Sequence, residues 1–533
     1  MSNVFKRCSY ALDRPISSTR RLTVKENDRG RLEALNQALT CVHKADVKKL
    51  PRLQHGIDKA LFVPGILSLV KGNKGLSKYV QTIHRLEKFN YDLLAPYYEP
   101  SEHKELNNLA RKFHVTFTGS TSTLSKPLSQ LHFFISQWKK PSTGFLGDPF
   151  NDPATTTFTR LTRLPCSFTL KRNGSVYSVN KDIFDDDSGN KILMSLGKSL
   201  ETFLTVDKQE FSRFFYDNPT GLQPSQPVNL YNYSKFGSIL MRSQLDCYDH
   251  RVSRSGIFDL KTRAVFGVRM DREHPELYSK FKILGRSGIY SSFEREQYDM
   301  IRSSLLKYSI QARIGNMAGV FITYHNTRVI FGFQFLALDA MDKVLYGSST
   351  VGNQCFSLTV QLYENILKRS VATYPKANLR ITFYTTNNTE PKLFVFVENL
   401  DSIIPAKSAC SSKSADSSTR SRTEDSDKTT KRQHIHPTSC YVYSLRHNLN
   451  GQWVKSLPQS MLTTKNWFVD YVCESMTDES HMLSILDRLN RTTRKFAEKS
   501  AKPSASLQLL LQQLASNPAL YKDFKVMKPQ TLY

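Results

Sequence analysis

Hydrophobic periodicity is clearest in the middle of the chain. Residues 191–205, KILMSLGKSLETFLT, repeat Leu193, Leu196, Leu200, Phe203 and Leu204 at helical spacing and predict an amphipathic helix. Glu201 projects from the edge of that apolar stripe, and Gly197 one turn earlier leaves room beside it. The next runs, SILMRSQLDCY and GIFDLKTRAVFGV, are apolar and β-prone; the turn-forming DHRVSRSG between them predicts an antiparallel hairpin. SSFEREQYDMIRSSLLKYSIQARIG then places Phe293, Ile301, Leu305 and Tyr308 at helical spacing, with Ser292 and Glu294 suited to a first turn. GVFITYH and RVIFGFQFLAL predict two further strands. The local order is helix, strand, strand, helix, strand, strand, an α/β arrangement.

Outside this block the pattern changes. Residues 403–436 are crowded with Ser, Thr and alternating charges and contain no aromatic residue, so they cannot bury enough apolar surface to offset ordering and are expected to be disordered. LFVFVENL and SCYVYSL on either side read as strands, which makes the segment an insertion in a loop of one domain. The expected organisation is a basic leader at 1–50, an N-terminal region at 51–185, the core at 186–402, the linker at 403–436, a strand-rich return at 437–475 and a helical extension at 476–533. No repeat of solenoid period is present.

Composition narrows the partners. Lys and Arg number 74 against 47 Asp and Glu, a net charge of +27, so the field outside the protein attracts polyanions over about a Debye length. Nucleic acid or an anionic membrane surface fits that field. No run reaches the roughly 20 apolar residues of a membrane span; ALFVPGILSLV is short and carries Pro64. The eight cysteines are scattered without a C-x-x-C pair, against a disulfide framework or a zinc finger. His434, His436 and Cys440 in HIHPTSC lack a fourth metal partner. Within the first 25 residues Lys6, Arg7, Arg14, Arg20, Arg21 and Lys25 oppose Asp13 alone, the composition of a mitochondrial transit segment.

Against this basic background Asp246, Asp249 and Asp259 gather within a few residues, with Lys261 behind the last. In a strand Asp259 and Lys261 share a face, roughly 6–7 Å apart. If Asp246 on the neighbouring strand faces the same way, two carboxylates converge beside one ammonium. That set suits a divalent cation with oxygen ligands, Mg²⁺ or Mn²⁺, with the Leu260 carbonyl as a further ligand. Such a cation neutralises charge developing on a phosphodiester and lowers the pKa of water, while Lys261 orients that water or stabilises the transition state.

The spacing D-x(12)-D-x-K resembles the PD-(D/E)xK nuclease superfamily, whose core is a helix, a β-hairpin carrying D and (D/E)xK, a second helix and a further strand. By that resemblance Asp246, Asp259 and Lys261 are catalytic, Glu201 takes the place of the acidic residue of the first helix, and Gln311 in KYSIQARIG matches a glutamine of the second. Leu245 replaces the motif's proline, and the central acid is Asp rather than Glu. The stretches RSQLDC, GIFDLKTRAV, LGKSLETFLT, VTFTGSTSTLSKPLSQLHFFIS and LQHGIDKALFVPGILSL, with the long run from SFEREQ to IFGFQF, resemble the fungal mitochondrial RNA-processing family Pet-one-two-seven (Pet127) over about residues 50–400. The resemblance implies a nuclease-like α/β core with helical N- and C-terminal extensions, acting as a mitochondrial, metal-dependent 5′-to-3′ exoribonuclease in RNA 5′-end processing and degradation. It further implies contact with the mitochondrial RNA polymerase or RNA-degradation machinery, and a peripheral association with the inner membrane. The competing class is an inactive nuclease fold that binds RNA and recruits other factors.

Candidate strand-holding residues surround the acidic cluster. Ser120, Thr121 and Ser122 offer hydroxyls and backbone donors ahead of a helix, a phosphate cradle without P-loop spacing. Arg242, Arg251, Arg254, Arg263 and Arg269 can track phosphates. An ordinary capping loop and solvated charges are the plainer readings. Tyr308 and His325 read as core.

Overall fold

The computed structural model of the chain describes residues 24–516, apart from 183–190, 406–433 and 459–465 and short gaps at 35–37, 71, 73–74, 84–85, 153–154, 219, 226–228, 272, 389, 403 and 501–502. The strands of the described residues are β1 (Val24–Glu33), β2 (Thr40–His43), β3 (Ile66–Ser68), β4 (Phe117–Ser120), β5 (Cys166–Asn173), β6 (Val176–Lys181), β7 (Leu230–Phe236), β8 (Ile239–Leu245), β9 (Cys247–Tyr248) and β10 (Ile257–Ala264). They continue with β11 (Gly319–His325), β12 (Ile330–Ala337), β13 (Leu379–Thr385), β14 (Leu393–Asn399), β15 (Ile404–Pro405), β16 (His434–Ile435), β17 (Thr438–Leu449), β18 (Gln452–Val454) and β19 (Trp467–Met476). The helices that matter below are α1 (Thr121–Ile135), α2 (Lys191–Thr205), α3 (Phe293–Ser303), α4 (Leu305–Ile314), α5 (Ser349–Thr373), α6 (Glu479–Ser500) and α7 (Ala505–Ser516).

Twelve strands form one mixed sheet in the order β1-β19-β17-β14-β13-β5-β6-β4-β8-β7-β2, with β18 on β17. Five form a second sheet, β3-β12-β11-β10-β9. In the second sheet β10 and β11 run parallel, with Asp259 opposite Val320 and Lys261 opposite Ile322, and β12 is antiparallel to β11. Both faces of this small sheet are buried, as a parallel pair requires. Phe258, Leu260, Phe321 and Phe333 pack against Leu196, Leu200, Phe203 and Leu204 of α2. Val320, Ile322 and Tyr324 belong to the large core that also holds Ile301 of α3, Ile310 of α4, Leu128 of α1 and Leu362 of α5. The chain order α2, β8, β9, β10, α3, α4, β11 follows the expected helix, strands, helix, strand in a mixed α/β protein.

The structure differs from the expected hairpin. The run before Asp246 is β8, which pairs antiparallel with β7 and parallel with β4 in the large sheet. Only Cys247 and Tyr248 turn back onto β10, against Phe258 and Ile257. An apolar, period-two run specifies a strand but not its partner, and here the chain changes sheets at one residue, Asp246. The predicted helix after Ser292 is interrupted at Ser304, whose φ −121° and ψ −22° close α3 and open α4.

The segment expected as a basic leader, 1–50, contains β1 and β2: β1 pairs with β19 and β2 with β7, so the folded body begins at or before Val24. The N-terminal extension thus contributes strands as well as helices. β14 and β17, which flank the predicted linker, pair with each other, and its ends meet as β15 and β16. Its middle, 406–433, lies outside the described residues, as does the transit-like stretch 1–23. The described cysteines are thiols outside any disulfide, and no helix of the described residues is long and apolar enough to cross a membrane.

Candidate active site

The site is assembled on an unpaired edge. β9 covers β10 only as far as Phe258, so the edge beyond it is open where Asp259, Leu260 and Lys261 follow. Asp246 fills that opening: its Oδ2 accepts the Leu260 N–H at 3.0 Å. In an extended strand the N–H and C=O of one residue face the same edge, so the Leu260 carbonyl also faces the Asp246 side. Asp259 and Lys261, two apart on one face, form an ion pair with Nζ 2.5 Å from Oδ2. α2 lies close on β10 because Gly197 permits it; a Cβ there would sit 3.3 Å from Thr262 Oγ1. Glu201, one turn further on, faces the same charges.

Three carboxylates thus surround one ammonium, and their ionisation reflects it. Burial raises the Glu201 carboxyl to about 7, Lys261 opposing and Asp259 reinforcing the shift. Burial raises Asp246 well above the carboxylate range, with repulsion and a hydrogen bond from Asp259 adding to it. Asp259 is the one held down: burial pushes it up, but Lys261, the hydrogen bond with Asp246 and Lys307 more than offset that. Lys261 is raised because Asp259, Asp246 and Glu201 together outweigh its desolvation. Within the pair, burial and Asp259 push Asp246 upward while Lys261 holds Asp259 down.

α4 closes the other side. Its Tyr308 ring centroid is 5.9 Å from Lys261 Nζ, Lys307 acts on Asp259, and Gln311 follows on the same helical face. The Gln311 Oε1 is buried without a hydrogen-bond partner. Sequence reasoning missed Lys307; its spacing of four from Gln311 was the available signal.

Among the described residues no group of three His, Cys, Asp or Glu side chains is arranged to hold a metal ion. The chemistry of the donors nevertheless fits a hard cation: oxygen ligands on Asp246, Asp259 and the Leu260 edge, more carboxylates than cations, and an unmet amide oxygen nearby.

The remaining candidates separate into two groups. Arg251 holds Asp249 and Asp58 at 2.6 and 2.8 Å, Arg254 holds Asp339 at 2.6 Å, and Arg269 holds Glu296 and Asp299 at 2.7 and 2.9 Å. Arg263 and Arg242 are buried with guanidinium nitrogens that lack a hydrogen-bond partner. Ser120 caps α1 in a reciprocal box with Thr123 and its Oγ lies 2.7 Å from Ser122 Oγ, while Thr121 opens the helix. Tyr308 and His325 pack as core residues.

Fold and site together define a mixed α/β protein of PD-(D/E)xK-like layout, with an acid-rich cluster and a lysine on an open strand edge. The chain belongs to the Pet127 family and is mitochondrial: the family model described as mitochondrial protein Pet127 matches residues 97–368. It is 42% identical over 381 residues to the Schizosaccharomyces pombe mRNA degradation protein pet127, mitochondrial, covering 69% of this chain and 72% of that one. It is 32% identical over 327 residues to the Saccharomyces cerevisiae putative mitochondrial translation system component PET127, covering 56% of this chain and 38% of that longer relative. Among solved structures, Scheffersomyces stipitis Rai1 in complex with (3′-NADP)+ and calcium ion aligns with TM-score 0.34 and 9% identity over 69% of this chain and 89% of that one. K. lactis Dxo1 in complex with manganese aligns with TM-score 0.33 and 11% identity over 71% and 92%.

Proposed function

We propose that this chain hydrolyses phosphodiester bonds of mitochondrial RNA at the Asp246, Asp259, Lys261 and Glu201 cluster, as a metal-dependent 5′-to-3′ exoribonuclease in 5′-end processing and degradation. The observation that carries the reading is the crowding of three carboxylates around one lysine at an open strand edge, in a chain whose net charge is +27. Structural ion pairs do not need that excess; sites that handle a cation and a phosphate do. The name of the S. pombe relative, an mRNA degradation protein, supports RNA as substrate.

Asp246, Asp259 and the Leu260 carbonyl would hold Mg²⁺ or Mn²⁺, with Glu201 as an additional acidic ligand or water-orienting group. When bound, such a cation supplies neutralisation of phosphodiester charge and acidification of water. Asp259 remains ionised through Lys261 and so keeps the ammonium fixed beside the reacting phosphate. Lys261 stabilises negative charge that grows only in the transition state. Asp246, bonded to the Leu260 N–H, keeps the strand edge and the carboxyl pair in register.

The test is incubation of the purified protein with 5′-monophosphate RNA and Mg²⁺ or Mn²⁺ beside a chelator control. Metal-dependent release of short 5′-labelled products is expected, with a circular RNA of the same sequence surviving. Cleavage of the circle would replace exonuclease by endonuclease action. RNA binding without any hydrolysis would favour the adaptor class.

A further inference from the structure

A second set of unmet polar groups lies on β8, four residues before Asp246. Arg242 is 2% exposed. Its Nη2 donates to the Tyr98 carbonyl at 2.7 Å, and its Nη1 has no hydrogen-bond partner. In the parallel pairing of β4 with β8, Arg242 stands opposite Ser120, so the two side chains share a face. Ser120 is the cap of α1, a helix of fifteen residues whose N-terminus carries partial positive charge.

Tyr97, 46% exposed, ties these groups together at the surface. Its hydroxyl lies 2.9 Å from Ser122 Oγ, and its ring centroid is 5.8 Å from the Arg242 guanidinium carbon and 5.4 Å from Lys181 Nζ. Tyr231 supports Arg242 from another side at 4.9 Å. Glu99 feels both cations, and Glu102 acts on Glu99 in turn, so two cations and two carboxylates meet here. A buried guanidinium with a free donor, a helix N-terminus and two hydroxyls on one spot are the chemistry that recognises phosphate.

We propose that Arg242, Ser122, Tyr97 and Lys181 form a strand-holding subsite for a phosphate group of the RNA whose scissile bond lies at Asp246 and Asp259, an inference that rests on the hydrolytic reading above. β8 ends at Leu245, one residue before Asp246, and four residues of extended chain span at most about 13 Å. The held phosphate and the acidic cluster therefore lie along one short track.

The test is RNA binding in chelator, where nothing is hydrolysed, using a fluorescent single-stranded decamer over a range of KCl concentrations. Arg242→Gln is expected to weaken binding at least tenfold and to make the slope of log K against log salt shallower by about 0.7, one phosphate on a single strand. Should that variant fail to fold, the half-exposed and exposed pair Ser122→Ala with Lys181→Ala is expected to lose about tenfold. Wild-type affinity and slope in the double variant, or no RNA binding by the wild type, would overturn the subsite.

A 5′-phosphate and a 5′-hydroxyl form of the decamer separate the sources. A loss confined to the first puts the terminal phosphate here, and an equal loss puts an internal one. Because binding is read without turnover, an inactive wild type whose binding still falls in these variants would remove the hydrolytic reading and leave the subsite standing.

Discussion

Two buried charge clusters sit on the same strand and resolve in opposite ways. At the start of β10, Asp259 and Lys261 meet Asp246 and Glu201, three acids against one lysine, and two of the acids are forced upward in pKa. At its end, Arg263 joins Arg269 and Arg295 around Glu296 and Asp299. Here Arg269 bonds both acids, Arg295 Nε donates to Asp299 at 3.1 Å, and Glu296 Oε1 accepts the Phe266 N–H at 2.6 Å. Burial pushes Asp299 up, yet Arg295, Arg269 and Arg263 hold it well below the carboxylate range. In the second cluster both carboxylates, Glu296 and Asp299, are satisfied and fix the start of α3 to the strand. The first is left with three acids against one lysine, and two of the acids are pushed upward.

The largest effect expected from this contrast is on turnover. Asp259→Ala or Lys261→Ala should lower RNA hydrolysis by about a thousandfold or more, the scale of losing a group that meets developing charge, with RNA affinity within a few-fold. Full turnover by either variant would remove the assignment. Next in size is the satisfied cluster: Glu296→Gln should cost about 3–5 kcal/mol in urea unfolding, because Arg269 and Arg263 lose the carboxylate they face in the interior. A loss under about 1 kcal/mol would erase the distinction drawn here.

Glu201→Gln should move the other way in stability. Removing one of three crowded acids without metal relieves repulsion and should stabilise the fold by up to about 1 kcal/mol while hydrolysis falls, the trade-off expected of a strained site. Added Mn²⁺ should raise the melting temperature of the wild type and leave that of Asp246→Asn unchanged. Equal shifts in both proteins would move the cation elsewhere.

How much of this was legible depended on whether local pattern carried the information. The apolar spacing of Leu193 to Leu204 is the buried face of α2, and the period of two that put Asp259 and Lys261 on one face is seen in β10. The partner of each strand was not legible. β8 reads like half of a hairpin because its residues alternate correctly, yet it is buried between β4 and β7. The pairing of β1 with β19 joins residues over four hundred positions apart, which no local period encodes. The break at Ser304 carries no Pro or Gly to announce it, and the helix after it brings Lys307 and Tyr308 to the site. The satisfied cluster was half visible: Arg263 and Arg269 stood out as charges near the acids, while their partners Glu296 and Asp299 come from a helix whose packing on β10 only the tertiary structure supplies.

The smallest expected effect decides where one cluster ends and the other begins. Arg263 follows Lys261 by two residues, so it shares that face of β10, yet its Nε is only 3.3 Å from Glu296. Its Nε and Nη2 make no hydrogen bond, and burial followed by repulsion from Arg269 lowers its pKa. Glu296 already has Arg269 and the Phe266 N–H, so it does not depend on Arg263. A buried cation with weak partners gains about as much Coulomb energy as its desolvation costs. Arg263→Met, which keeps the unbranched apolar stem and removes the guanidinium, should therefore leave the unfolding free energy within about 1 kcal/mol. Arg263 shares the Lys261 face of β10, so RNA affinity should fall by a few-fold while Glu296→Gln, corrected for folded fraction, binds as wild type. A loss of 3 kcal/mol or more with unchanged affinity would instead make the three arginines one structural unit and end the acidic site at Lys261.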